Sequence, residues 1–176
     1  MERIVVTWAF NSWKTTTIKL LREEWFNICE ETARELLINM KKRPEDFTKE
    51  ELEAFQKEVY FQQVKKEILH KWHVFDSSVI DILAYAEDTD VYNYLYDVIK
   101  WYLTQYPYKQ VFLLKPITKI EDDWLRHTDS EFQRIIFNRI KKILEDFDIN
   151  YILVSGNIKN RLQIILDNIK WHEYKR

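Results

Sequence analysis

Four short, almost uninterrupted apolar runs punctuate the chain: RIVVT at residues 3–7, HVFD at 73–76, VFLL at 111–114 and YILV at 151–154. A strand that is apolar in succession, rather than at every second position, must be covered on both faces, which is the mark of a buried parallel strand. Parallel neighbours cannot be joined by a hairpin; each needs a crossover, and helical patterns lie between these runs. The expected fold is therefore α/β, with a central, mainly parallel sheet and right-handed crossovers. Ligands of such sheets bind beyond the carboxyl ends of the strands, so the residues from Thr7 onward and from Asp76 onward head the candidate site.

The helical segments are legible from spacing. Ile18, Leu20 and Leu21 fall in residues 15–24, and Ala33, Leu36, Leu37 and Met40 in 31–42, which Arg43-Pro44 ends. Thr48-Lys-Glu-Glu51 makes a capping box that opens a long helix carrying Leu52, Phe55, Val59 and Ile68 towards Lys71. Thr128-Asp-Ser-Glu131 does the same for Phe132, Ile135, Ile136, Ile140, Ile143 and Leu144, and residues 79–86, 92–106 and 158–169 complete the set. With 176 residues and no repeat or linker, the chain reads as one domain spanning 1–176.

Charge and cysteine content remove several classes of function. Lys plus Arg number 27 against 29 Asp plus Glu, a formal charge of -2 that argues against a protein built to neutralise nucleic-acid phosphates. No apolar run approaches the ~18 residues of a membrane span, and no signal peptide precedes the first strand, so a cytoplasmic protein is expected. The single cysteine, Cys29, excludes an internal disulfide and any all-cysteine zinc site; at a strand end it reads as a small buried hydrophobe. His70 and His73 flank a helix end without thiol or carboxylate support, so no metal site is expected from them.

The first strand leads into Trp8-Ala9-Phe10-Asn11-Ser12-Trp13-Lys14-Thr15-Thr16 and then a helix. A phosphate-binding loop has the pattern G-x-x-x-x-G-K-[ST] in the same strand-to-helix context, and every feature is present except the two glycines, each replaced by Trp. The residue types follow from the chemistry. Backbone N–H groups of residues 8–13 and the helix start would cradle the phosphates of ATP, Lys14 would reach the β and γ phosphates, and Thr15 would ligate Mg²⁺.

At this point the sequence resembles the P-loop AAA-type ATP-binding domains similar to the nicotinamide-riboside kinase domain of NadR, over nearly its whole length. The resemblance runs from RIVVT and WAFNSWKTT through Glu31-Thr-Ala-Arg34, matching an E-x-A-R segment, to the Asp-ended strand in VFDSSVIDILAYA. It continues through VFLL and Asp123-Trp124-Leu125-Arg126, matching D-G-x-R with Trp for Gly, to SGNIKNRL with its Arg161. The resemblance implies a P-loop NTPase three-layer sandwich, binding of ATP and Mg²⁺, and phosphoryl transfer to a small, nucleoside-like acceptor. It also implies an acceptor side lined by Glu31 and Arg34, and an adenine-side loop at Arg161.

The departures share one character: Trp8, Trp13 and Trp124 stand where the family has glycine, and Trp25 before Phe26 is similarly placed. The chain has one glycine and seven tryptophans, where average usage of about 7% would give roughly 12 glycines. One cause explains both counts: UGA codons for glycine in a non-standard code, read as tryptophan. Trp72 is a further case, whereas Trp101 and Trp171 lie in helical and terminal contexts and are left as tryptophan. The competing reading keeps every Trp, and a loop blocked by Trp8 and Trp13 then makes a non-catalytic pseudoenzyme.

Each candidate residue has a plainer role beside the functional one. Lys14 and Thr15 are phosphate and Mg²⁺ ligands or an ordinary helix start. Asp76 holds Mg²⁺ through water or acts as base towards an acceptor hydroxyl, or it caps the helix after it. Arg126 resembles a lid arginine that offsets charge on the transferred phosphoryl group, with Asp123 orienting it, or the two form a surface ion pair. Glu31 and Arg34 are acceptor-side residues or a helix-surface pair, and Arg161 stacks on adenine or is solvated. The tyrosines of residues 92–108 mark an acceptor pocket or partner surface, or simply pack. Two functional alternatives stay open beside the kinase: a nucleotide-dependent regulatory ATPase acting on a protein partner, and the pseudoenzyme.

Overall fold

The computed structural model describes residues 3–8, 13–69, 74–117 and 130–169. Five strands, β1 (Ile4–Trp8), β2 (Ile28–Cys29), β3 (Val74–Asp76), β4 (Gln110–Leu114) and β5 (Tyr151–Val154), form one sheet in the order β2-β3-β1-β4-β5. Every pairing is parallel, with Val6 opposite Asp76 across β1–β3 and Trp8 opposite Leu114 across β1–β4. The first strand therefore runs through Trp8, one residue past the apolar run. β1 is central, and its carboxyl end lies beside that of β3.

Seven α-helices accompany the strands among the described residues: α1 (Lys14–Glu23), α2 (Thr32–Met40), α3 (Lys49–Leu69), α4 (Val79–Ala86), α5 (Tyr92–Gln105), α6 (Ser130–Asp146) and α7 (Ile158–Asn168). Alternate strand residues point to opposite faces, and each face has its own core. Ile4, Val6, Phe112, Leu114 and Val154 pack with Ile18 and Leu21 of α1 and Ile165 of α7. Val5, Phe75, Val111 and Leu113 pack with α2 to α6, where α4 is buried along nearly its whole length. The result is the three-layer α/β sandwich of a P-loop NTPase, and the continuous apolar character of the strands is what two covered faces require.

Helix termini follow local chemistry. Thr48 and Glu51 make the expected reciprocal cap at the start of α3, the Glu51 N–H donating to Thr48 Oγ1 at 3.2 Å and the Thr48 N–H to Glu51 Oε2 at 2.9 Å. The proposed cap at Thr128 lies outside the described residues. At the other ends, α1, α2 and α6 each close through a residue of positive φ: Trp25 (69°), Lys41 (51°) and Asp148 (53°). In α1 the Trp25 N–H donates to the Arg22 carbonyl and the Phe26 N–H to that of Leu21, the two bonds of a Schellman motif. That motif favours glycine at the position Trp25 occupies, and Trp25 is 92% exposed.

At the amino end of β1 an ion pair is buried. Arg3 Nη1 donates to Glu67 Oε2 at 2.7 Å, and Tyr102, Tyr108 and Gln63 complete the carboxylate's shell at 2.9–3.0 Å. Tyr96 meets Phe147 edge-on with centroids 5.0 Å apart, while Tyr94 and Tyr106 stay exposed, so the tyrosine-rich segment serves packing on its inner side. No helix of the described residues is long and apolar enough to cross a membrane.

Candidate active site

The site lies where β1 and β3 end and α1 begins. Lys14, the first residue of α1, is 2% exposed, and its aliphatic stem carries the ammonium into the space between the two strand ends. There Nζ donates to Ser77 Oγ at 2.9 Å and pairs with Glu31 Oε2 at 3.2 Å and with the Asp76 carboxylate. It also stands 4.2 Å from the centroid of the Trp8 ring, whose Nε1 donates to Ser77 Oγ at 3.4 Å. A cation this buried persists only because carboxylates and an aromatic face replace its water. Its burial excludes the reading of Lys14 as an ordinary exposed helix start.

Asp76 ends β3, and the capping task falls two residues later. Ser78 is the N-cap of α4: its Oγ accepts from the Ile80 N–H, while Asp81 accepts from the Ser78 N–H at 2.7 Å and the Ser78 hydroxyl at 2.8 Å. Asp81 also accepts from the Thr7 hydroxyl at 2.7 Å, which ties α4 to β1, and burial pushes its carboxyl above the ordinary value. Asp76 is thus left turned to Lys14. Ser77 lies between them with φ 85°, a conformation that costs a non-glycine residue strain.

Residue 13 stands at the N-cap of α1 with φ 56° and ψ 25°, again in the left-handed region that favours glycine. Arg161, 2% exposed, spans from α7 to this point: Nε donates to the Gly156 carbonyl and Nη1 to that of Lys115, each at 2.9 Å, and its guanidinium lies 5.7 Å from the Trp13 ring. Arg161 is therefore a buried brace between the ends of β4 and β5 that reaches the start of α1, rather than a solvated residue. Thr15 and Thr16 are exposed on the first turn of α1, and Arg34 is half-buried one turn into α2. Ala9, Phe10, Asn11, Ser12, Asp123 and Arg126 lie outside the described residues, as do His70, His73, Trp72 and Trp124.

A cavity of about 270 Å³ opens beside Lys14. Its polar wall includes Glu31, Gln56, Gln63, Ser77 and Asp81, and its apolar wall includes Trp8, Phe55, Val59, Tyr85 and Phe132. Glu31, at the start of α2, reaches both this cavity and Lys14. Among the described residues no group of three His, Cys, Asp or Glu side chains could hold a metal by itself. Of the two residues expected to hold Mg²⁺, Thr15 is exposed on α1 and the Asp76 carboxylate pairs with Lys14; hydroxyl and carboxylate oxygens are donors that suit Mg²⁺, and two of them would leave most of its coordination to phosphate and water.

The sequence of residues 3–161 matches the AAA domain family. The chain belongs to that family. Among solved structures, this AAA domain is similar to NadR in complex with NR, with a TM-score of 0.77 at 17% identity over 98% of this chain and 51% of that one. It is also similar to deoxyadenosine kinase from M. mycoides, TM-score 0.70 at 12% identity, covering 97% and 99% of the two chains. Thymidylate kinase from Candida albicans gives 0.64 at 17% identity over 99% and 93%. The AAA domain here spans about half the length of the NadR chains. No curated protein matches it.

Several residues of this AAA domain's site escape sequence reading. Ser77 and Gln63 carry no pattern of their own; Gln63 is placed by α3, where Nε2 donates to the Ser77 carbonyl at 3.3 Å and Oε1 accepts from the Thr32 hydroxyl at 2.6 Å. Ser78 and Asp81 did carry a signal, the spacing [ST]-x-x-[DE] of a capping box.

Proposed function

We propose that this AAA domain binds MgATP and transfers its γ-phosphoryl group to a hydroxyl of a small, nucleoside-like acceptor. The observation that carries the reading is the position of Lys14. It is the residue that ends a phosphate loop by sequence, and its ammonium touches Glu31 and Ser77 in the wall of the neighbouring cavity. One side chain therefore stands at the junction of a donor site and an acceptor site. Phosphoryl transfer asks for little more than that positioning together with neutralisation of charge.

In this mechanism Lys14 leaves its carboxylate partners for the β and γ phosphates, and α1 directs its N-terminal N–H groups at them. Mg²⁺, held by Thr15 and Asp76 with the phosphates, would neutralise charge on the β and γ oxygens. The acceptor lies in the cavity with its hydroxyl near Glu31 and Asp76. Its oxygen bonds to the γ phosphorus, the bond from that phosphorus to the β,γ-bridging oxygen breaks, ADP departs, and the hydroxyl proton passes to one of those carboxylates. Arg126 and Asp123 would serve as the lid, Arg34 the acceptor side and Arg161 the adenine side, all by the family resemblance. The reading places the domain in the cytoplasm with a soluble metabolite as its acceptor.

A second reading rests on Trp8. Its ring contacts Lys14 and lines the cavity, so a chain with tryptophan there presents indole where a phosphate loop presents bare backbone. The test measures MgATP binding by melting temperature and ATP consumption with a panel of nucleosides, for the chain as written and for Trp8→Gly with Trp13→Gly. Binding and acceptor-stimulated turnover, both lost in Lys14→Met, support the kinase. Turnover that responds only to a protein partner supports the regulatory ATPase, and the absence of a nucleotide-induced shift in the chain as written, with a shift regained in the glycine variant, supports the pseudoenzyme.

A further inference from the structure

The side-chain amide of Gln63, buried on α3, is engaged at every polar atom. Its Oε1 accepts from the Thr32 hydroxyl at 2.6 Å, and its Nε2 donates to Glu67 Oε1 at 3.0 Å and to the Ser77 carbonyl at 3.3 Å. The partners fix which way the amide points. A backbone carbonyl can only accept, and Glu67 already accepts from Arg3, Tyr102 and Tyr108, so both call for the amide nitrogen and the oxygen is left to the hydroxyl.

Two of these three bonds end one residue away from a carboxylate of the candidate site. Thr32 follows Glu31, Ser77 follows Asp76, and both carboxylates pair with Lys14. The β2–α2 junction and the β3–α4 junction belong to different crossovers, and this amide bridges them. Its third bond ties the bridge to the fully buried Glu67, which Arg3 holds at the amino end of β1. The bridge also helps keep Ser77 at φ 85°, a conformation that persists only where the surroundings over-determine it. Here the Ser77 N–H donates to the Val6 carbonyl at 3.2 Å, its hydroxyl accepts from Lys14 and its carbonyl from Gln63.

We infer that Gln63 is a positioning residue: its amide sets the separation of Glu31 and Asp76 across Lys14, and so aims the carboxylate that receives the acceptor's proton. The catalytic consequence rests on the proposed phosphoryl transfer, whereas the spacing does not. Without the amide the Thr32 hydroxyl and the Ser77 carbonyl are released together, and both junctions can shift. A misplacement of about 1 Å can cost about 10²-fold in rate. The amino end of α1, which faces the nucleotide in that mechanism, has no bond to Gln63, so MgATP binding should change little.

The test uses the full chain with Gln63→Leu, Thr32→Val and Thr32→Ser, each shown by urea midpoint to be folded under the assay conditions. Two readouts are taken: acceptor-dependent turnover, and the rate at which acetic anhydride labels Lys14, followed by mass spectrometry. Gln63→Leu should lower kcat tenfold or more with the KM for MgATP within threefold, and should speed labelling of Lys14 fivefold or more as its carboxylate cage loosens. Thr32→Val, which removes one bond at constant shape, should move both readouts in the same direction and carries the test if Gln63→Leu does not fold. Thr32→Ser keeps the hydroxyl and should hold both within threefold of the natural chain. The inference is overturned if folded Gln63→Leu or Thr32→Val keeps the natural kcat and the natural protection of Lys14, or if Thr32→Ser is damaged as much as Thr32→Val. A natural chain that turns over no acceptor overturns the proposed transfer instead, and labelling of Lys14 then decides the spacing role by itself.

Discussion

Lys14 Nζ lies 2.9 Å from Ser77 Oγ, and Ser77 is held in a left-handed conformation at φ 85° while Gln63 donates to its carbonyl. A lysine at the start of α1 is thereby fixed by a strained residue at the end of β3, across the central pair of strands. Ser77→Ala keeps the unfavourable φ and removes a hydrogen bond to a charged group, at a cost of about 2 kcal/mol. Ser77→Gly removes the same bond but relieves backbone strain worth about 1 kcal/mol, so it should be the less damaging change. Urea unfolding of both variants checks the order; a glycine variant less stable than the alanine variant contradicts it.

Asp81 supplies a stability profile in pH. Burial raises its carboxyl above the ordinary value, against the lowering effect of its bonds to Thr7 and Ser78 and of Lys14. The folded chain therefore favours the neutral acid. The contribution of this group to stability is complete below the unfolded value of about 3.9 and declines as pH rises through the raised folded value. Asn cannot ionise and can satisfy the same partners by rotation of the Thr7 hydroxyl. Relative to the natural residue, Asp81→Asn should thus gain stability progressively as pH rises above about 4, read as urea midpoints across a pH series.

Tryptophans 25 and 101 should respond oppositely to glycine. Trp25 is 92% exposed at φ 69° in the Schellman position after α1, so Trp25→Gly discards no packing and should stabilise by about 1 kcal/mol. Trp101 lies inside α5, where glycine costs about 1 kcal/mol through backbone entropy. Melting temperatures should therefore rise for the first and fall for the second. The same division is expected in the gene: UGA at codons 8, 13, 25 and 124 and UGG at codon 101, with native mass spectrometry reporting glycine at the first four. UGG throughout would establish tryptophan in the phosphate loop and favour the pseudoenzyme.

Cys29, buried at the end of β2, has its thiol pushed up to about 11 by burial. At pH 8 roughly one thiol in 10³ would be thiolate, and that one is shielded. Ellman's reagent should therefore leave the folded chain unlabelled over minutes and label it stoichiometrically in guanidinium chloride. Rapid labelling of the folded chain would contradict the burial of β2 under α2 and α3.

Some of the site was legible and some was not, for different physical reasons. Lys14 and Asp76 were legible because Asp76 ends one buried strand and Lys14 opens the helix after another, and the carboxyl ends of parallel strands are where such sheets present their chemistry. Whether Asp76 capped α4 or faced the site was not, since both roles need a carboxylate after a strand; the Ser78–Asp81 cap decided it. Arg161 shows the opposite case. Its residue type suggests solvent or an adenine ring, but three contacts from β4, the β5–α7 turn and residue 13 hold it inside.

By itself the sequence determined the alternation of helices with four of the five strands, the Thr48–Glu51 cap and the phosphate-loop pattern, because these depend on residues within about ten positions of one another. It also determined that the strands are covered on both faces, since apolar side chains in succession leave no face for water. Only the tertiary structure decided the strand order, the bonds that draw Glu31, Asp76 and Ser77 around Lys14, and the cavity that Gln56 of α3 lines beside them. Those residues come from four separate elements. Which of them meet is fixed by how helices pack across the sheet, an energy spread over many long-range contacts that no local pattern records.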